Sequence, residues 1–229
     1  MKLLNLLLIA SIASSWVCAK EKFFVVEREN ESLATIYNGV KRANITGMHD
    51  MNHGVVKFDG KDGYAISRDG FVVKFDPESE KILAEYKTSK SAIGFVIGAN
   101  YVAVANYDDK SVDILDRDLK PLEKIQTGSK NVGIKTYENY LIFSQMENDT
   151  ISVFKDMNEG KNKPDFKLFK EFKDAGELPF DAMIKDEKYI VGFFTSKFFG
   201  VLDLKKMEYS KIDIFLDENR QMVLKVPHF

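Results

Sequence analysis

Hydrophobic and polar positions along this chain alternate in short blocks that recur. The clearest block runs Ala92-Ile-Gly-Phe-Val-Ile-Gly98, then Tyr101-Val-Ala-Val-Ala-Asn-Tyr107, then Ser111-Val-Asp-Ile-Leu-Asp116, and closes on Leu122-Glu-Lys-Ile-Gln-Thr127. It reads as an apolar strand, a turn, a second apolar strand, a polar turn, an alternating strand ending in Asp or Lys, and a polar outer strand. Four segments share this grammar. Their third strands begin at Phe71, Ser111, Thr150 and Phe198, giving spacings of 40, 39 and 48 residues. The longest spacing holds an insertion, Met157 to Pro164, whose Asn, Lys and Gly content predicts a loop. No extended stretch after Ala19 carries a convincing helical period.

Four strands repeated every 40 to 50 residues or so are the signature of propeller blades. The expected fold is therefore all-β, a β-propeller of four-stranded antiparallel blades, with about four full blades in residues 20–229. Partial blades flank them. Phe23 to Glu27 and Ser32 to Tyr37 read as the two outer strands of a blade, and Gln221 to Phe229 as the start of another. Four full blades and two fragments do not close a ring readily, and open sheet edges are a liability that closure removes. The pattern predicts a propeller cut short at its C-terminal end.

Residues 1–19 obey a different logic. Lys2 precedes an apolar run from Leu3 to Ala13, and Val17-Cys18-Ala19 presents residues suited to a signal peptidase, followed at once by Lys20, Glu21 and Lys22. The apolar run is shorter than the roughly 20 residues that span a bilayer. A cleaved signal peptide and a periplasmic destination are expected. The alternative is a lipoprotein anchored to the membrane through Cys18. Cys18 is the only cysteine, so either course leaves no thiol for a disulfide or a thiolate cluster.

Composition narrows the function classes. Hydrophobic residues make up 45% of the 229 and aromatics 12%, enough for a packed core. Lys and Arg number 33 against 35 acidic residues, a balance that excludes a general nucleic-acid binder while leaving room for a local basic pocket. The sequence lacks Cys-x-x-Cys-His for covalent haem, His-Glu-x-x-His for zinc, a phosphate-binding Gly-x-x-x-x-Gly-Lys loop and a Gly-x-Ser-x-Gly elbow.

Candidate chemistry follows from blade topology. Loops joining second to third strands, and fourth strands to the next blade, emerge on one face. That face collects His49 and His53, Arg68-Asp69-Gly70, Ser89-Lys90-Ser91, Asn106-Tyr107-Asp108, Gly128-Ser129-Lys130, Met146-Glu147-Asn148, Thr195-Ser196-Lys197 and Pro227-His228. All three histidines fall there. Each member also has a plain structural reading: Arg68-Asp69-Gly70 is an ordinary tight turn, His53 can satisfy a turn, and Glu147 can be a solvated loop acid.

Five motifs carry a family resemblance: Gly47-Met-His-Asp-Met-Asn-His53, Ser67-Arg-Asp-Gly70, Val102-Ala-Val-Ala-Asn-Tyr107, Pro179-Phe-Asp-Ala182 and Lys225-Val-Pro-His228. In this order and spacing they resemble the NirF family of haem d1 biosynthesis proteins, related to the d1 domain of cytochrome cd1 nitrite reductase. The likeness spans nearly all of the chain after the leader. It implies an eight-bladed periplasmic propeller that binds haem d1, or a dihydro-haem d1 precursor, in its axial funnel. It also implies a late role in building that cofactor for nitrite reductase, as a carrier or a dehydrogenase-like enzyme, with nitrite reductase or other assembly proteins as partners.

The family's histidine falls on His53, within Asp50-Met-Asn-His53. Its acidic residue falls on Glu147, a departure from the expected Asp. On this reading His53 is the candidate haem-iron ligand or proton-transfer group and Glu147 orients it or accepts a proton. Arg68 and Lys90 pair with macrocycle carboxylates, while Asn106, Tyr107, Phe180 and His228 contact the ligand. The competing expectations are a non-enzymatic scaffold for protein partners and the d1 domain of a nitrite reductase, disfavoured because no electron-entry haem motif is present.

Overall fold

The computed structural model describes residues 21–159, 161 and 163–214. The leader, Cys18, and the segment Gln221 to Phe229 with His228 lie outside the described residues. Five antiparallel sheets follow one another along the chain. The first contains β1 (Lys22–Glu27), β2 (Ser32–Tyr37) and β3 (Val40–Thr46). The second contains β4 (Val55–Asp59), β5 (Asp62–Ile66), β6 (Phe71–Asp76) and β7 (Lys81–Lys87). β8 (Ala92–Ile97), β9 (Tyr101–Asn106), β10 (Ser111–Asp116) and β11 (Pro121–Gln126) make the third. The fourth is β12 (Asn131–Tyr137), β13 (Tyr140–Gln145), β14 (Thr150–Asp156) and β15 (Phe166–Phe172). The fifth is β16 (Pro179–Lys185), β17 (Lys188–Phe193), β18 (Phe198–Asp203) and β19 (Glu208–Asp213). Strands pair in sequence order within every sheet, the up-and-down connectivity of a propeller blade.

Packing explains why the middle strands are apolar on both faces. Ala103 and Ala105 of β9 point into a core shared with Leu141 and Phe143 of the next sheet. Val102 and Val104 of the same strand point the other way, against Tyr64 and Ile66 of the preceding sheet. Period-two alternation therefore feeds two cores at once. Two further clusters fill the remaining gaps: Leu33, Ile45, Met48 and Met51 against Phe75, and Ile142, Ile151 and Val153 against Tyr189, Val191 and Leu202. Fourth strands such as β19 (Glu-Tyr-Ser-Lys-Ile-Asp) are mostly exposed. They form the outer rim, with the first strands side by side about the axis, β8 beside β12 and β12 beside β16.

The N-terminal blade corrects the expectation from sequence. It has three strands, β3 joining the two foreseen, and β1 therefore occupies the second-strand position. Within β3 only Ile45 is buried, so Val-Lys-Arg-Ala-Asn-Ile-Thr lacks the apolar alternation that would announce a strand.

Adjacent blades are also stitched by polar contacts. The fully buried Tyr64 donates its hydroxyl to the Arg117 carbonyl at 2.9 Å, and the Arg117 guanidinium returns to Tyr64 and to Asp59. Lys74 of β6, nearly buried, lies between Asp62 at 3.3 Å and Asp118 at 2.9 Å. Its ammonium is fully compensated, as a buried cation requires.

Candidate functional site: the loop rim and the axial groove

One face of the molecule is knitted by backbone hydrogen bonds between loops of the two kinds predicted to share it. Arg68 N–H donates to the Asp50 carbonyl, Thr88 N–H to Gly70, Tyr107 N–H to Ser91 and Met146 N–H to Lys130. His53, Arg68, Lys90, Tyr107 and Glu147 therefore belong to one rim. Gly70 sits at φ 93° with its α-carbon so close to the next loop that a Cβ there would meet the Ser89 carbonyl oxygen at 1.4 Å.

His53 closes a single 3-10 turn, Met51–His53. Asp50 caps it, accepting from Asn52 N–H at 3.0 Å and from the Asn52 side chain at 2.6 Å. Met51 anchors the turn in the core, which leaves His53 exposed at the mouth of a groove.

That groove runs along the axis and encloses about 250 Å³. Val55 and Lys57 of β4 form one side, and Ile93, Gly94 and Phe95 of β8 the next. β12 contributes Val132 through Lys135, and β16 contributes Phe180 and Asp181. Three of these four strands carry an extra residue where they line the groove. Ala92 and Gly94 pair with the adjacent Asn106 and Ala105, Val132 and Lys135 with Ser144 and Ile142, and Pro179 and Ala182 with Phe193 and Val191. Each is a bulge, which bends its strand and re-aims side chains. At the β12 bulge Gly133 adopts φ 61° and its carbonyl accepts from the buried Tyr189 hydroxyl at 2.8 Å.

The groove's charges come from strands, not loops. Lys57 donates to the Phe95 carbonyl at 2.5 Å with its ammonium 5.0 Å from the Phe95 ring centroid. Burial pushes its ammonium down to about 8, with Lys135 adding repulsion and Asp181 opposing. Lys135 lies 3.6 Å from Asp181. Burial lowers its pKa too, against the partial compensation of Asp181. Lys57 and Lys135 did not stand out in the sequence, where each reads as an ordinary polar member of an alternating strand; Asp181 lay within the Pro179-Phe-Asp-Ala182 motif but was given no role. A lysine recurring in first strands, where a blade faces the axis, was the available signal.

The residues foreseen from the sequence divide into groups. His53 and Phe180 line the groove; Phe180 also packs on Phe194, ring centroids 4.5 Å apart. Arg68 is partly buried beside the His53 turn, and its guanidinium forms no ion pair among the described residues. Lys90 is exposed on the rim, outside the groove lining.

Glu147 and Tyr107 form a second cluster on the rim. The Glu147 carboxylate lies 2.8 Å from Lys110 and 3.8 Å from Lys130, and the Lys130 ammonium lies 4.8 Å from the Tyr107 ring centroid. The Lys110 hydrogen bond holds Glu147 below the usual carboxylate range, so it is a weaker proton acceptor than a free glutamate. Neither residue lines the axial groove.

Asn106 requires a correction. Expected to contact a ligand, it is fully buried, donating to Asp113 at 2.6 Å and Ser111 at 3.2 Å while accepting from Thr88 at 2.9 Å. Gln145, the equivalent residue one repeat later, donates to Ser152 at 2.7 Å. Both tie the second strand of a blade to the third. His49 is also turned outward, stacked on Phe71 at 3.6 Å and 3.1 Å from Glu85.

Could the groove's residues hold a flat, carboxylate-bearing macrocycle? Val55 and Ile93, partly exposed, offer an apolar edge backed by the buried Phe95, Val132 and Ile134, and two lysines and a histidine offer charge and a nitrogen ligand. The chemistry fits. The volume is below the roughly 300–1,000 Å³ of enclosed ligand sites, so the groove does not by itself enclose such a group. No group of three or more metal-ligating side chains occurs among the described residues, and no helix among them is long and apolar enough to cross a membrane.

Fold and groove together define a β-propeller of the kind that presents an axial site. The chain belongs to the family described as the cytochrome D1 heme domain, whose model matches residues 18–222. That membership ties it to d1-haem-related function. Among solved structures it is similar to "Dihydro-heme d1 dehydrogenase NirN in complex with DHE", at 19% identity and TM-score 0.69, over 84% of this chain and 44% of that one. It is also similar to a functionally unknown protein from Desulfotomaculum acetoxidans DSM 771, at 15% identity and TM-score 0.66 over 83% of this chain and 64% of that one. BamB from Moraxella catarrhalis matches at 12% identity and TM-score 0.64, over 82% and 57% of the two chains. These likenesses concern the fold, and the chain spans less than two thirds of each. No curated protein sequence matches.

Proposed function

We propose that this chain binds haem d1, or its dihydro-haem d1 precursor, against the axial groove and serves in maturing that cofactor for nitrite reductase. The observation that carries the reading is the groove itself: an apolar edge and two partly buried lysines on first strands, Lys57 on the regular β4 and Lys135 on the bulged β12, with His53 at the mouth. Membership of the D1 heme domain family and the likeness to NirN, solved in complex with DHE, point the same way.

When bound, the macrocycle supplies the redox chemistry. The chain's part is to bind, orient and shield. His53, held on its capped turn, offers an imidazole as axial ligand or proton-transfer group. The Arg68 guanidinium and Lys90 offer cations at the rim, while Phe180 supplies an apolar edge. Glu147 and Tyr107 bound the rim further along. The leader read over residues 1–19 supports a periplasmic setting, where nitrite reductase or other assembly proteins would be partners.

Titration of the purified chain with dihydro-haem d1 and haem d1, followed by visible spectroscopy, tests this. Saturable binding with a shifted Soret band is expected, and His53→Ala should remove the axial-ligand features. Binding with an unchanged spectrum in His53→Ala removes His53 from the axial role. No binding of either form would leave the protein-docking scaffold as the better account.

A further inference from the structure

Among the described residues, lysines withdrawn from solvent include two kinds. Lys74 sits between two carboxylates, Asp62 and Asp118; burial presses its pKa down, but these partners together outweigh it and leave the pKa raised. Lys57 and Lys135 share the axial groove with one carboxylate between them. Asp181 is 3.6 Å from Lys135, too long for a good charge-assisted hydrogen bond. Lys57 pairs with no carboxylate among the described residues; its ammonium is held by a neutral carbonyl and an aromatic face. A structural lysine needs a partner such as Lys74 has, because a desolvated cation without one is costly.

The groove thus holds two cations and one anion beside an apolar wall. A small inorganic anion would leave that wall uncovered. An amphiphile with a flat apolar body and a peripheral carboxylate matches both parts. We infer that Lys57 and Lys135 form a two-cation seat for a ligand carboxylate, and that Asp181 is the internal counter-ion the ligand displaces from Lys135. This rests on the tetrapyrrole reading above and names the residues that read the ligand's acidic edge.

The ammonium groups lie on β4 and β12, with β8 between them supplying the Phe95 carbonyl that fixes Lys57. On β16, Asp181 also accepts from the backbone N–H of Ala182 at 2.7 Å, so it keeps a partner when Lys135 turns to a ligand. The seat is ready-made, and binding exchanges one carboxylate for another with little backbone movement.

Protoporphyrin IX and its dimethyl ester, titrated into the full chain and followed by fluorescence, separate carboxylate recognition from ring binding without iron or catalysis. The free acid should bind wild type about tenfold more tightly than the ester, the order expected for hydrogen bonds to charged groups. Lys57→Met and Lys135→Met should each weaken the acid severalfold and leave the ester unchanged, the unchanged ester showing that the fold is intact. Asp181→Asn should tighten the acid, a gain that misfolding cannot produce. If haem d1 binds while acid and ester bind alike, the seat is refuted and the wider reading stands. Failure of haem d1, acid and ester alike overturns both.

Discussion

The backbone N–H of Arg68 donates to the carbonyl of Asp50 at 2.6 Å, so the loop between β5 and β6 grips the turn that presents His53. Two residues foreseen separately from sequence therefore belong to one mechanical unit, with Asp50 as its hinge pin.

Replacing Asp50 with Ala should loosen that unit. The carboxylate caps the Met51–His53 turn, and losing such a cap costs about 1 kcal/mol. Asp50→Asn keeps an oxygen acceptor and should recover most of the loss. Urea unfolding reads the stability, and the spectrum of bound haem d1 reads the placement of His53; an unaffected Asp50→Ala protein in both would show the cap to be idle.

Gly70→Ala should be far more damaging than its size suggests. The new methyl would overlap the Ser89 carbonyl, at a φ of 93° that L-residues rarely adopt. A loss of about 3 kcal/mol is expected, seen as a lowered urea midpoint with unchanged slope. Tolerance of Ala would mean that the two loops part at little cost.

Tyr189 is fully buried, and its hydroxyl bonds to the Gly133 carbonyl at 2.8 Å and Ser144 at 2.9 Å, joining the fourth and fifth blades behind the β12 bulge. Burial raises its phenol pKa well above the ordinary tyrosine value. Tyr189→Phe keeps the ring but strands both partners, at about 1–3 kcal/mol. Because Gly133 lies in the bulge between Val132 and Lys135, the variant should also blunt discrimination between protoporphyrin IX and its diester. Calorimetry and the same titration check it, and wild-type behaviour in both would count against the coupling.

Lys57 makes stability depend on pH in a definite direction. Its folded pKa of about 8 lies below the ordinary 10.5, so the unfolded chain binds the proton more tightly. Below about pH 8 the folded state carries a buried cation at a cost on the order of 2 kcal/mol. That cost fades as pH rises from about 8 toward 10.5. Lys57→Met should be more stable than wild type at pH 7, with the difference vanishing near pH 10.5. Paired urea titrations at pH 7, 9 and 10.5 measure it; a pH-independent difference would contradict the assignment.

Blade repeats were legible because each middle strand feeds two cores and so advertises itself as a continuous apolar run. The third strands begin at Phe71, Ser111, Thr150 and Phe198, the positions read from the pattern. β3 was not legible, because an outer strand buries almost nothing and pattern reading tracks burial. On the rim, connectivity alone placed His53, Arg68, Lys90, Tyr107 and Glu147 in loops of the two kinds that face one way. Connectivity does not say which way a side chain turns. Asn106, last in its strand, turned inward to Asp113, and burial raises the Asp113 pKa against the opposing pull of Lys124 and Asn106. Lys135 escaped notice, and Asp181 was quoted in a motif without a role, because the bulges in β12 and β16 arise from pairing with the next strand, information no single strand contains. Lys57 escaped because one lysine in a regular alternating strand carries no mark of the neighbouring blade that buries it.

The bulge at Gly133 has an arithmetic consequence. Three residues of β12, from Val132 to Lys135 counted as steps, answer two steps of β13, so the parity of side chains changes partway along the strand. Deleting one codon there would restore uniform parity, and half of β12 would have to turn over. Either Asn131 would lose the Ser111 carbonyl it holds at 3.1 Å, or Lys135 would swing from the axis into the packing between blades. A lineage could thus silence this pocket, or recreate it, through a change in residue count alone, with every surrounding sheet left standing.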